Sequence, residues 1–225
     1  MKTWFPLSAM ALGLVIAGTA SADQFGPPDT AVGRLEALAI VSALNAELLS
    51  HDSATLTLDR WCASHKLAAT PKIVAHLDPG IEKPADAGVR KLLGVTDSEP
   101  VKYRRVKLGC GDRVLSEADN WYVPARLTAE MNHVLETTDT AFGRAVKDLH
   151  FQRHTISAEL LWQPLPDGWD MGGDIPPSTS GTLDIPQFVI QHRAFLTRAD
   201  GQPFSVVVES YTRDVLAFPW PKIGG

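Results

Sequence analysis

The chain predicts an α+β domain: an antiparallel β-sheet with helices packed on one face. Three features carry that prediction. Strand-like runs are joined by glycine-containing turns rather than by alternating helices, which favours antiparallel pairing. Helical periodicity is confined to segments before and between those runs, with no internal repeat. A length of roughly 200 residues after the N-terminal leader suits one domain with its own core. The predicted organisation is a leader over residues 1–22 and a single domain over residues 23–225, with an irregular insertion at 163–186.

The elements follow in order. Lys2, an apolar run over residues 9–17 and the small residues Ala20-Ser21-Ala22 have the charge, apolar core and cleavage site of a secretory signal peptide. A mature chain starting near Asp23 in the periplasm or outside the cell is the expectation. No later segment reaches the roughly 18 apolar residues that a membrane span needs. Residues 27–51 read as a linker and a helix, capped by Asp29 or Thr30, with Leu35, Leu38, Val41, Leu44 and Leu48 at three- and four-residue steps. A second short helix is expected over 59–65. Ile73, Val74 and Leu77 suggest a strand ending in a Pro79-Gly80 turn, and 86–93 a weak helix or loop.

Residues 102–108 and 114–123 are strand-like and are divided by Gly109-Cys110-Gly111-Asp112, a hairpin signal, because glycine tolerates the positive φ such turns require. Helices are expected over 127–135 and 141–149, the latter capped from Thr138-Asp139-Thr140, and a strand over 155–162. Residues 163–186, with five prolines and four glycines, have neither period. Loops of that length are usually functional lids or mobile insertions, and this one is either a lid that shields a ligand with Trp169 and Met171 or a solvated insertion with no ligand role. A last hairpin, 188–197 with 204–211, turns at Ala199-Asp200-Gly201.

Composition excludes several classes. With 21 basic against 26 acidic residues and no Lys/Arg block, nucleic acid is not an expected partner. No nucleophile elbow, P-loop, dinucleotide fingerprint or His-Glu-x-x-His motif occurs. Cys62 and Cys110 have no nearby His or Cys at metal spacing, and His150 and His154 read as loop or surface residues, so neither metal nor cofactor is expected. The two cysteines are either a disulfide, which an exported chain permits, or two small buried hydrophobes.

Arg104 alternates with Val106 and Leu108, the apolar and inward parity, whereas Arg105 shares its face with Tyr103 and Lys107. An inward arginine requires an anion or several acceptors, and the anion is either a structural carboxylate or a ligand's. Glu209 ends the apolar run Phe204-Ser205-Val206-Val207-Val208, and is either the mate of Arg104 or one wall of a buried polar pocket.

The same residues resemble the chorismate lyase family. The matching segments are Arg104-Arg105-Val106-Lys107-Leu108 before Gly111-Asp112, then Val123-Pro124, Phe142-Gly143-Arg144, Gly201-Gln202-Pro203 leading to Glu209, and Thr55-Leu56-Thr57 upstream. The resemblance implies that family's fold over roughly residues 50–216, shared with ligand-sensing domains of some transcriptional regulators. It implies a pocket for a small carboxylated cyclic or aromatic ligand. There Arg104 grips the carboxylate, Glu209 faces the ring oxygen, Leu56 and Phe142 cover the apolar faces, and Gly143 forms the closing turn. Alignment on Cys110 selects Arg105 in place of Arg104. The enzyme it implies eliminates pyruvate from chorismate to give 4-hydroxybenzoate, with Glu209 and Arg104 as catalytic residues and no cofactor. A periplasmic binding or sensing module with the same pocket and no turnover is the alternative, and a structural protein with a direct Arg104–Glu209 bridge a third.

Overall fold

The computed structural model describes Met1 and residues 26–78 and 80–220. The predicted leader and Pro79 of the predicted turn lie outside the described residues. Helix α1 (Ala31–Leu49) is capped by Thr30, whose side chain accepts from the Gly33 amide, and Ala37, Val41, Leu44 and Leu48 form its buried stripe. Asp29 instead binds the Arg34 guanidinium. Helix α2 (Ala54–Ser64) begins ahead of the predicted 59–65, because Ser53 caps it by accepting from the Leu56 amide. Thr55 and Thr57 occupy its inward face and are buried, so polar residues conceal the first turn from a hydrophobicity pattern. Helix α3 (Ala87–Leu93) is held by the Asp86 cap and ended by Gly94 at φ 60°. Helices α4 (Ala129–Thr137) and α5 (Phe142–Ala145) follow, the second shorter than predicted, starting after Ala141 without the side-chain cap expected from residues 138–140, and continued by a 3-10 turn at Lys147–Leu149.

Six strands, β1 (Ile73–Leu77), β2 (Lys102–Cys110), β3 (Arg113–Tyr122), β4 (Gln152–Leu160), β5 (Phe188–Thr197) and β6 (Pro203–Thr212), form one sheet in the order β1-β2-β3-β6-β5-β4. Every neighbouring pair is antiparallel, which is the α+β architecture the sequence predicts. The β2–β3 and β5–β6 hairpins turn where expected, with Gly111 at φ 58° and Gly201 at φ 83°. Val41, Leu44 and Leu48 of α1 and Leu58 and Trp61 of α2 share one core with Val106, Leu108, Leu115 and Tyr211 of the sheet. On the opposite face α3 adds a smaller cover, Val89 and Leu93 meeting Trp121, Val123 and Val206. Cys62 of α2 and Cys110 of β2 form a disulfide with 6.4 Å between Cα atoms, closing the alternative left open by the sequence.

The irregular segment runs along the N-terminal end of α1. Asp29 N–H donates to the Gly181 carbonyl, Leu183 N–H donates to that of Pro27, and Arg34 donates to the carbonyls of Pro176 and Pro177. Leu165 and Ile185 are buried anchors, while Met171 stands in solvent.

Candidate functional site

Strand register assembles the site. Arg104 on β2 lies opposite Asn120 on β3, which lies opposite Val207 on β6; in the adjoining row Val106 faces Ala118, Ala118 faces Glu209, and Glu209 faces His192 on β5. Arg153 on β4 sits opposite Leu196 of β5. Alternation directs these side chains to the face covered by α1 and α2. There, Arg104, Val106, Leu108, Asn120, Phe142, Gly143, Phe151, Arg153, Leu196 and Glu209 line a cavity with the N-terminal turn of α2, residues 52–55. Its empty space, mouth included, is about 480 Å³.

Arg104 is 6% exposed, and its Nη2 donates to the Thr140 carbonyl at 3.1 Å. Its Nε and Nη1 are buried with no hydrogen-bond partner among the described residues. Burial draws its pKa down to about 10, the sign of a guanidinium removed from water without a compensating carboxylate. Glu209 is the mate of a different arginine: Arg153 Nη2 donates to Glu209 Oε2 at 2.6 Å, and Tyr211 Oη donates to the same oxygen at 3.3 Å. Burial works against the Arg153 charge, but Glu209, Tyr211 and Asp52 together outweigh it and the pKa is raised overall. Beneath this pair His192 is fully buried, Nε2 within 2.7 Å of Asn45 Oδ1 on α1. The cavity wall is completed by Phe142, whose ring lies 5.7 Å from that of Tyr122 and 6.2 Å from that of Phe204.

Of the residues singled out from sequence, Arg104, Phe142, Gly143 and Glu209 converge on this cavity. Two require correction. Arg105 lies on the other face of the sheet, bound to Asp119 at 2.8 Å and Glu117 at 2.7 Å, as its parity dictates. Leu56 is 42% exposed and borders a neighbouring surface depression; Thr55, one residue earlier on α2, lines the cavity instead. The candidate lid also lies elsewhere, since none of residues 163–186 lines the cavity. His150 and His154 are separated by conformation: His150 has φ 47° after the 3-10 turn, and His154 in β4 stacks on Phe195 of β5.

Sequence reasoning missed Arg153. The usable signal was the alternation Phe151, Arg153, Thr155, but with a strand expected only from residue 155 no face was assigned to Arg153. Two buried guanidiniums and one buried carboxylate leave the cavity with an excess of positive charge, suited to an anionic ligand with an apolar body.

No protein-family model matches the chain. Among solved structures it is similar to PhnF from Mycobacterium smegmatis, with 13% identity, 78% of this chain and 70% of that one covered, and a TM-score of 0.44. The effector domain of PhnF alone gives 12% identity, 77% and 95% coverage and a TM-score of 0.43. With YydK from Bacillus subtilis the identity is 12% and the TM-score 0.38, the match covering 68% of this chain and 63% of YydK. In sequence the chain is 60% identical over 197 residues to the uncharacterized protein y4mC of Sinorhizobium fredii (strain NBRC 101917 / NGR234), covering 87% of this chain and 83% of that protein. At that identity and coverage the chain belongs to the same family as y4mC.

Proposed function

We propose that the protein is a binding or sensing module for a small carboxylated cyclic or aromatic ligand, held in the cavity between β2, β6 and α2. One observation carries this reading: the buried Nε and Nη1 of Arg104 have no partner among the described residues and belong to a cavity with apolar walls. An uncompensated buried guanidinium is costly to the empty protein, and a ligand carboxylate supplies the missing acceptors in bidentate geometry. Phe142, Phe151 and Leu196 supply the apolar contact that a ring would bury. The signal-like sequence of residues 1–22 and the Cys62–Cys110 disulfide support a site of action in an oxidising compartment, periplasmic or extracellular. Titration calorimetry with 4-hydroxybenzoate is the direct test; saturable binding that is lost in Arg104→Ala is expected, and no heat with any small aromatic carboxylate overturns the reading.

The presence of Glu209 in the same cavity favours one enzymatic version. Elimination of pyruvate from chorismate, giving 4-hydroxybenzoate, needs orientation, a carboxylate clamp and a proton acceptor, and no cofactor. Arg104 and Glu209 are the residues available for those roles. Incubating the mature protein with chorismate separates the versions: accumulation of 4-hydroxybenzoate supports the lyase, and binding without product supports the sensing module.

A further inference from the structure

We infer that the cavity is built for a ligand carrying a single negative charge, and that Glu209, by cancelling Arg153, sets that limit. The inference rests on the carboxylate-binding reading above, adds the valence of the ligand to it, and argues against the enzymatic version, because chorismate carries two carboxylates. The charged groups inside are few. Arg104 is 6% exposed and has no acidic partner among the described residues. The side chains of Arg153 and Glu209 are 5% and 10% exposed and are joined at 2.6 Å. Two cations and one anion leave one positive charge to be met.

The remaining titratable neighbours do not alter the sum. Burial holds His192 down to about 4, so it is neutral at pH 7, and burial raises Tyr211 well above the ordinary tyrosine range, so its hydroxyl keeps its proton. Asp52 stands at the mouth, exposed to water, where its Oδ1 accepts from the Arg153 amide at 2.8 Å. It lines the cavity and its charge favours the Arg153 cation, but it faces water and is screened more than a charge inside. A monocarboxylate therefore balances the interior. A second carboxylate on the ligand has only Arg153 to bind, and taking that cation strands Glu209 as an unpaired buried anion or obliges one carboxyl group to bind a proton.

A pair of probes with the same shape isolates charge from size: 4-carbamoylbenzoate, a monoanion, and terephthalate, its dianionic counterpart. Wild-type protein should bind the monoanion at least about tenfold more tightly, since an unpaired buried charge costs at least that factor. Glu209→Gln, which keeps the side-chain shape and frees Arg153, should invert the order. A second measurement does not depend on that variant folding. Calorimetry of the wild type at pH 7, in buffers of differing ionisation enthalpy, should show about one proton taken up per terephthalate bound and none with 4-carbamoylbenzoate. Terephthalate binding as tightly as the monoanion, with no proton uptake, overturns the inference. An unchanged order in folded Glu209→Gln does so as well. Failure of both probes where 4-hydroxybenzoate binds overturns the inference alone, and failure of all three overturns the carboxylate-binding reading with it.

Discussion

Neighbouring arginines show how strongly a residue's role depends on which face of a strand it occupies. Arg104 and Arg105 are adjacent, yet one is buried without an acid and the other spans Asp119 and Glu117. Arg104→Ala is expected to weaken binding of a ring carboxylate by about 2–5 kcal/mol, and Arg105→Ala much less. Calorimetry on both variants checks this, with thermal melts to confirm folding; a larger loss from Arg105→Ala would refute the assignment of the site to the helix-covered face. His192 carries a pH prediction. Its folded pKa of about 4 lies below the unfolded value of about 6.5, so between those values only the unfolded chain binds the proton. The stability it contributes is full above about pH 6.5, falls as pH drops toward 4 and levels off below. The loss is about 3 kcal/mol, counted from the pKa difference alone. Urea unfolding from pH 4 to 7 should show this slope in the wild type and a flatter one in His192→Gln, which keeps an amide able to reach Asn45.

Among the elements, the meeting of α2 and α5 governs the cavity wall. Gly143 in α5 sits where a Cβ would be 2.5 Å from Ser53 Oγ and 3.2 Å from Thr55 Oγ1. Ser53 is not free to yield, because the same oxygen caps α2 by accepting from the Leu56 amide at 3.3 Å. Gly143→Ala should therefore cost about 0.5–2 kcal/mol, the worth of a helix cap, and should loosen the turn of α2 that lines the site. Denaturant unfolding of Gly143→Ala beside Ser53→Ala measures it: overlapping, non-additive losses are expected, and full additivity would mean the two changes act through separate contacts. The segment over residues 163–186 belongs to α1 rather than to the cavity. Proline and glycine marked it as irregular, but its docking depends on Arg34 reaching the carbonyls of Pro176 and Pro177, a contact between residues distant in sequence.

Across the whole molecule, the Cys62–Cys110 bridge ties the helical layer to the sheet over a separation of 48 residues. Closing a loop of that length in the unfolded chain is worth about 4 kcal/mol on the chain-entropy account, and 2–4 kcal/mol is the common range. Reduction, or Cys62→Ala with Cys110→Ala, should lower the denaturant midpoint accordingly, and an unchanged midpoint would mean the bridge does not form in the native protein. Intact mass of the protein purified from its native source tests the leader: a chain starting near Asp23 supports export, and one retaining residues 1–22 excludes cleavage.

The sequence by itself determined the element types, both hairpin turns and the inward parity of Arg104, because these follow from local rules: the two-residue alternation of strands, the positive φ open to glycine, and side-chain caps at helix starts. It also marked Glu209 as an acid in an apolar strand. Only the tertiary structure decided the partner of that acid. Arg153 reaches Glu209 because β4 and β6 flank β5 in a sheet whose order is not the order of the chain. Likewise Thr55 lines the cavity and Leu56 does not, since the direction of a helix face is set by what the helix packs on. Charge balance in a buried site is a sum over residues brought together from distant parts of the chain, so the spare cation at Arg104 became visible once every neighbour's position was known.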